Sequence, residues 1–232
     1  MLDGMSTART PSVIFDLDGT LVDSEPNYFE AGRRVLAAHG VLDFDWEQHQ
    51  RFIGIGTRET LEILRARYAL DAPLDELLAA KNRVYLELAS ASTDVFPQMR
   101  RFVERLSARG VPMAVASGSS RAAIEAVLAV TGLAAYIAVT VSAEEVGRGK
   151  PEPDVFLEAA RRLAAAPGDC VVVEDAPPGA AAARAAGMRC IAVPYVEDTA
   201  EDTAFLAADL LFKGGQREFT AEAAYGWVMG GT

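Results

Sequence analysis

The sequence has little that would cross-link the chain, carry it through a membrane or attract a polyanion. Its 232 residues include two cysteines and two histidines, too few for a disulfide framework. Its apolar stretches all fall short of the roughly 20 residues that cross a bilayer. Acidic residues outnumber basic ones by 33 to 22, so the net charge is -11. This excess argues against sequence-independent binding to nucleic acid or to an anionic membrane, because both need basic patches. We therefore expect a small-molecule partner.

The remaining composition is that of a soluble globular protein. Half of the residues are hydrophobic and 24% are charged, and a chain of this length can bury a core without disulfides or structural metals. Cys170 and Cys190 each lie in an apolar run, which predicts reduced core thiols and fits a cytoplasmic location. The stretch from Met1 to Thr10 is a polar mixture, and we expect a loose leader rather than a signal peptide.

The hydrophobic pattern predicts an α/β fold with a helical insertion. Strands alternate with helices in most of the chain, which indicates a mainly parallel sheet with helices on both faces. Between residues 26 and 93 the apolar residues recur at helical spacing instead. The predicted strands cover residues 13–15, 111–116, 136–141, 170–173, 190–193 and, weakly, 209–212. The predicted helices cover residues 27–39, 61–68, 74–88, 97–109, 121–130, 153–163 and 178–186.

These elements divide into two expected domains. Residues 1–24 and 95–232 are expected to form a Rossmann-like, doubly wound core with a mainly parallel sheet. Residues 25–94 are expected to form a helical domain inserted after the first strand. The insertion leaves the core close to the carboxyl end of that strand, which is the edge where ligands of such sheets bind.

Polar side chains follow several of the predicted strands directly. These side chains are Asp16, Asp18, Ser117, Glu174 and Asp175. Because the carboxyl ends of parallel strands meet at one edge of a sheet, we expect these residues to share a single pocket. Lys150, in the run Gly-Lys-Pro-Glu-Pro, is expected to supply that pocket with a cation.

Two carboxylates at one strand end suit phosphoryl transfer. One carboxylate can attack phosphorus and divide ester hydrolysis into two displacements. The second can donate a proton to the leaving oxygen and then accept one from water. Gly19 lets the backbone turn tightly beside the phosphate. Two anions and a phosphate need a cation, and Mg²⁺ is usually held by one or two carboxylates together with phosphate and water.

The same residues, in the same order, resemble the four motifs of the haloacid dehalogenase-like (HAD) hydrolase superfamily. The matching motifs are Asp16-x-Asp18-Gly19-Thr20, Ser117, Lys150-Pro151 and Glu174-Asp175. The likeness runs from about Ser12 to Phe212 and includes a helical (C1-type) cap after the first motif. The runs 21–24 and 174–179 are similar to the branch that contains beta-phosphoglucomutase and small phosphosugar phosphatases.

This resemblance implies a role for each catalytic residue. It implies that Asp16 is the nucleophile and that Asp18 is the general acid and base. Ser117 and the amide of Gly118 would bind phosphoryl oxygens, with Gly19 in the adjoining turn. Lys150 would stabilise charge on the nucleophile and on the transferring group.

The resemblance also implies a magnesium site. Its ligands would be the carboxylates of Asp16 and Asp175 with the backbone carbonyl of Asp18. Glu174 would be either a further ligand or a residue that orients the ligands. The presence of Asp18 favours phosphoryl transfer over the carbon–halogen cleavage that names the superfamily, since the dehalogenases lack this second aspartate.

The insertion is expected to act as a lid that selects the leaving group. Its candidate substrate contacts are Glu25, Tyr28, Arg58 and the bend at residues 54–57. His49 is expected to be a surface or packing residue. Lys81 gives no sign of the imine-forming role that phosphonate cleavage requires.

Two reactions remain open for such a site. Mutases of this branch carry a histidine on the helix that enters the insertion and a lysine just before the insertion glycine, where this sequence has Tyr28 and Ile53. We therefore expect Mg²⁺-dependent hydrolysis of a small phosphorylated metabolite, a phosphosugar by resemblance, through an aspartyl phosphate. The alternative is a beta-phosphoglucomutase-like mutase. We expect a monomer.

Overall fold

A computed structural model of the protein describes residues 10–230. All of the expected leader except Thr10 lies outside the described residues. The strands are β1 (Ser12–Phe15), β2 (Val22–Asp23), β3 (Asp94–Val95), β4 (Met113–Ser117), β5 (Val139–Ser142), β6 (Cys170–Glu174), β7 (Arg189–Ala192) and β8 (Leu210–Leu211). The helices are α1 (Glu25–Ala38), α2 (Trp46–Gln50), α3 (Thr57–Arg67), α4 (Leu74–Ala91), α5 (Pro97–Ala108), α6 (Arg121–Thr131), α7 (Asp154–Arg162), α8 (Pro177–Ala185), α9 (Thr203–Leu206) and α10 (Ala221–Gly230).

Six strands form one parallel sheet in the order β5-β4-β1-β6-β7-β8. The central strand β1 pairs in parallel with β4 and β6, which places Phe15 opposite Val115 and Val173. All four residues of β1 are buried, and the apolar run Val13–Phe15 is typical of a strand covered on both faces. The predicted mainly parallel α/β fold is therefore confirmed.

Helices cover both faces of this sheet. On one face Phe102 of α5 makes edge-on ring contacts with Phe15 and with Phe219, and all three belong to one apolar cluster. On the other face Ile14 belongs to a cluster with Phe156 of α7 and with the alanines of α8. Small side chains on α8 let that helix lie close to the sheet. In the described part of the chain no helix is both long and apolar enough to span a bilayer.

The helices α1 to α4 lie between β2 and β3 in the chain. They pack around an apolar cluster of their own, with Leu36, Leu61 and Leu77 almost fully buried. The strands β2 and β3 pair antiparallel where the chain leaves and rejoins the core, with Val22 opposite Val95. The domain bounds at residues 25 and 94 stay a prediction, and this separate cluster supports them.

Candidate active site

A cavity of about 470 Å³ lies at the carboxyl ends of β1, β4 and β6. This volume is within the range of pockets that bind small molecules. Ten of the expected site residues line it: Asp16, Asp18, Glu25, Tyr28, Arg58, Ser117, Gly118, Lys150, Glu174 and Asp175. Residues of α1, α3 and α4 close its other side, so the cavity lies between the sheet and the inserted helices.

Lys150 connects two buried carboxylates at the floor of the cavity. Its Nζ donates to Asp16 Oδ1 and to Glu174 Oε1, each at 2.5 Å. Burial raises the pKa of Asp16 to about 8, although the Lys150 ammonium opposes part of that rise. Burial would lower the pKa of Lys150, but the charges of Asp16 and Glu174 outweigh it and raise the pKa above its ordinary value. The lysine therefore stays charged beside the expected nucleophile.

Both carboxylate oxygens of Glu174 are already engaged. Oε1 accepts from Lys150, while Oε2 accepts the backbone N–H groups of Asp175 at 2.9 Å and Ala176 at 3.0 Å. The side chain is 1% exposed, and a Cβ at Gly179 would overlap it. These contacts favour the orienting role for Glu174 over direct binding of a metal.

Asp18 accepts hydrogen bonds from three hydroxyl groups. Tyr85 donates to Oδ1 at 3.0 Å, and Ser119 and Ser117 donate to Oδ2 at 2.6 Å and 3.3 Å. The Tyr28 hydroxyl lies 2.7 Å from Ser119 Oγ, and its ring stacks on Tyr85 with centroids 4.0 Å apart. The expected acid and base is thus held jointly by the loop after β4 and by the inserted helices.

The turn after Asp18 brings the two acidic motifs together. Gly19 has φ +78, and a Cβ there would overlap the Asp175 carboxylate. Only glycine meets both conditions without strain. Thr20 then donates from Oγ1 to Asp175 Oδ1 at 2.9 Å. The sequence predicted the tight turn, but the contact between Thr20 and Asp175 follows from the fold.

The carboxylates at this edge fit a hard cation. Across residues 10–230, no three His, Cys, Asp or Glu side chains form a ready-made metal site. However, Asp16 and Asp175 are each 6% exposed, and burial followed by the charge of Glu174 raises the pKa of Asp175 well above its ordinary value. One lysine does not balance this negative charge. Two carboxylates with a substrate phosphate and water are a usual set of ligands for Mg²⁺.

The inserted helices add two polar side chains, His49 and Lys81, that the sequence did not assign to the site. His49 Nε2 lies 2.8 Å from Glu25 Oε2, and both residues are buried. Lys81 is 6% exposed, and its ammonium lies 5.6 Å from the Tyr28 ring centroid. Burial lowers the pKa of Lys81 to about 8, which the charge of Glu25 partly opposes. Both His49 and Lys81 line the cavity, so neither is a surface residue.

Arg58 lies at the rim of the cavity. Its guanidinium donates to Asp75 Oδ1 at 2.8 Å, and its side chain is 56% exposed. In this arrangement the Arg58 guanidinium is paired with Asp75 on α4. The Gly54 to Thr57 bend lines the cavity beside it.

The chain is similar to several known proteins. The chain is 38% identical over 186 residues to the fructose-1-phosphate phosphatase YqaB of Escherichia coli, covering 80% of this chain and 97% of that protein. It is 34% identical over 190 residues to the beta-phosphoglucomutase of Bacillus subtilis, covering 78% and 82%. It is 38% identical over 186 residues, 78% of its length, to the bifunctional riboflavin kinase/FMN phosphatase of Arabidopsis thaliana, but spans 48% of that protein.

Two further comparisons concern the fold and the family. The crystal structure of CbbY from Rhodobacter sphaeroides in complex with phosphate superposes with a TM-score of 0.75 at 27% identity, covering 88% of this chain and 93% of that one. The haloacid dehalogenase-like hydrolase model matches residues 11–187, which include all four acidic, hydroxyl and lysine motifs. The chain therefore belongs to the haloacid dehalogenase-like hydrolase family.

Proposed function

We propose that the protein is a Mg²⁺-dependent phosphatase that hydrolyses a small phosphorylated metabolite, a phosphosugar, through an aspartyl phosphate on Asp16. The observation that carries this proposal is the buried Asp16 carboxylate, paired with Lys150 at 2.5 Å on the floor of a cavity of about 470 Å³. The relatives that are named phosphatases support the same reaction.

The first step transfers the phosphoryl group to the protein. Lys150 holds Asp16 Oδ1, and the other oxygen, Oδ2, attacks phosphorus. As this bond forms, the bond from phosphorus to the leaving oxygen breaks, and Asp18 donates a proton to that oxygen. Lys150 stabilises the charge that develops on the transferring group. Ser117 and the amide of Gly118 bind its oxygens.

The second step releases phosphate. Asp18, now a carboxylate, accepts a proton from a water molecule whose oxygen attacks phosphorus. The bond between Asp16 and phosphorus breaks, and the carboxylate of Asp16 is restored. Asp16, Asp175 and the backbone carbonyl of Asp18 would hold Mg²⁺, which when bound supplies positive charge against the phosphate and the carboxylates. Glu174 orients Lys150 from behind.

Hydrolysis is favoured over the mutase alternative by the lining of the cavity. A mutase keeps a bisphosphate intermediate and needs cations for its second phosphate. Among the described residues of the lining, the Lys and Arg side chains are Arg58, Lys81 and Lys150, and Arg58 pairs with Asp75. Tyr28 stands at the position of the mutase histidine, and its hydroxyl lies against Ser119.

A substrate panel tests this proposal. Phosphate release from sugar monophosphates is measured with Mg²⁺ and with EDTA, using the wild type, Asp16→Asn and the exposed control Asp43→Asn. We expect metal-dependent release that Asp16→Asn abolishes and Asp43→Asn leaves unchanged. Equal release with EDTA, or by Asp16→Asn, would contradict the mechanism. Faster interconversion of glucose phosphate isomers than phosphate release would show a mutase instead.

A further inference from the structure

The segment after β7 reaches back to the catalytic turn. Gln216 Nε2 donates to the carbonyl of Thr20 at 3.0 Å and lies 3.4 Å from the carbonyl of Gly19. Gln216 lies beyond residues 11–187, which the family model matches. The contact therefore belongs to a part of the chain to which the four motifs give no role.

Several contacts fix this segment beside Asp175 and β2, which flank the turn. Tyr195 N–H donates to the carbonyl of Asp175 at 3.2 Å, and its hydroxyl donates to Asp23 Oδ1 at 2.8 Å. Gly215 has φ +58, and a Cβ there would overlap the carbonyl of Pro194. This close approach fixes the backbone that presents Gln216. Its amide therefore meets the turn from a constrained position.

The turn that Gln216 holds is the one that orients Asp175. Thr20 is fully buried, and its hydroxyl donates to Asp175 Oδ1 at 2.9 Å. The same residue accepts the Gln216 amide through its backbone carbonyl. A continuous path of two hydrogen bonds thus runs from Gln216 through Thr20 to Asp175. Buried carbonyls that lose a donor are costly, and the backbone moves to find a new partner.

We propose that Gln216 is a positioning residue for the metal ligand Asp175, acting through Thr20. This inference rests on the proposed function, because it takes Asp175 to be a ligand of Mg²⁺. The amide of Gln216 fixes the Gly19–Thr20 turn, and the turn fixes the carboxylate. Removing the amide lets the turn relax. Binding of the cation must then restore the conformation of the turn, and this cost weakens the affinity.

Metal binding without substrate tests the proposal independently of activity. Mn²⁺ serves as the probe, and the loss of its free EPR signal on titration gives its Kd. Gln216→Leu removes the amide and leaves a branched apolar side chain that is one atom shorter, and Thr20→Val removes only the hydroxyl. A hydrogen bond to a charged group contributes enough for about a tenfold change. We expect Kd to rise about tenfold in Thr20→Val and about fivefold in Gln216→Leu.

The double variant separates positioning from general damage. If Gln216 acts through Thr20, the variant with both substitutions binds Mn²⁺ no more than about twofold more weakly than Thr20→Val alone, because coupled residues are not additive. Gln98→Leu is the matched control. The Oε1 of Gln98 accepts the N–H of Ala221 at 3.2 Å, so its loss loosens α10 and leaves the metal affinity unchanged.

Three results would overturn the inference. One is an Mn²⁺ affinity of Gln216→Leu within twofold of the wild type. Another is a double variant whose Kd for Mn²⁺ rises by the product of the two single fold-changes. The third is an equal loss of affinity in Gln98→Leu. Where Gln216→Leu does not fold, Gln216→Asn, which keeps the amide but is shorter, is measured against the same criteria. Failure of the metal site itself is distinct, since the wild type and Asp175→Asn would then bind Mn²⁺ alike.

Discussion

Replacing Lys150 by methionine should destabilise the metal-free protein by about 3 to 5 kcal/mol. The substitution keeps a stem as long as the hydrocarbon part of lysine but removes the ammonium that lies 2.5 Å from both Asp16 and Glu174. The Glu174 side chain is 1% exposed and that of Lys150 is 13% exposed, so solvent cannot replace the lost partner. Breaking a buried ion pair on one side costs about this much, because a charge is left without compensation.

Urea unfolding in EDTA at pH 7.5 measures this loss. The matched control is Lys213→Met, which breaks a pair with Glu201 whose side chains are 58% and 73% exposed. We expect that control to lose at most about 1 kcal/mol. The double variant Lys150→Met with Glu174→Gln should recover part of the loss, because the unpaired carboxylate becomes a neutral amide.

If Lys150→Met is no less stable than Lys213→Met, the buried pair does not hold the floor of the cavity as described. If the double variant recovers stability, it should still release no phosphate, because the nucleophile lacks its neighbouring cation. If that variant does release phosphate, Lys150 contributes to stability but is not required for catalysis.

Three further predictions follow from other residues of the cavity. Burial raises the pKa of Asp16 to about 8, so the folded metal-free protein binds more protons than the unfolded chain and loses stability as pH rises from about 4 to about 8. Mg²⁺ competes with those protons, so the rise in Tm on adding Mg²⁺ should be larger at pH 8 than at pH 5.5, and a constant rise would contradict this. Lys81→Met should stabilise the protein at pH 7 by on the order of 3 kcal/mol. Burial lowers the pKa of Lys81 to about 8, so at pH 7 the folded protein carries the ammonium charge at the full cost of burying it. The same variant should raise KM for the substrate, and unchanged stability and KM would remove Lys81 from the pocket wall. Tyr85→Phe should lower kcat about tenfold at constant KM, because Asp18 loses one of its three donors. A change in KM alone would instead assign Tyr85 to substrate binding.

The parallel sheet was readable in the sequence because its strands are continuous apolar runs that end in polar residues. Cys170–Glu174 is such a run, and its observed bounds extend the expected strand by one residue. The strands β2 and β3 have two residues each, which is too short for any alternation to be visible. The five-residue helix α2 is equally short.

Some residues of the candidate site were predictable from the sequence and others were not. Residues that directly follow a strand, such as Asp16, were predictable because topology alone brings them to one edge. Tyr85 and Lys81 were not, because they reach the cavity only when the inserted helices pack against the loop after β4. Ser119 lies in that loop, and its contact with Asp18 depends on how the loop turns. The direction of Arg58 toward Asp75 also depends on that packing. The spacing of residues within one helix or strand does not show how the inserted helices pack against the core.

The stacked rings of Tyr28 and Tyr85 have a consequence for the order of events in a turnover. Tyr28 lies on the first inserted helix and Tyr85 on the last, so the two rings belong to the outgoing and returning legs of the insertion. A swing of these helices away from the sheet would break the Tyr28–Ser119 and Tyr85–Asp18 contacts together. The same movement that opens the cavity to substrate would then also separate Tyr85 from the Asp18 carboxyl group. In an open cavity Asp18 would keep Ser117 and Ser119 as donors but would lose Tyr85.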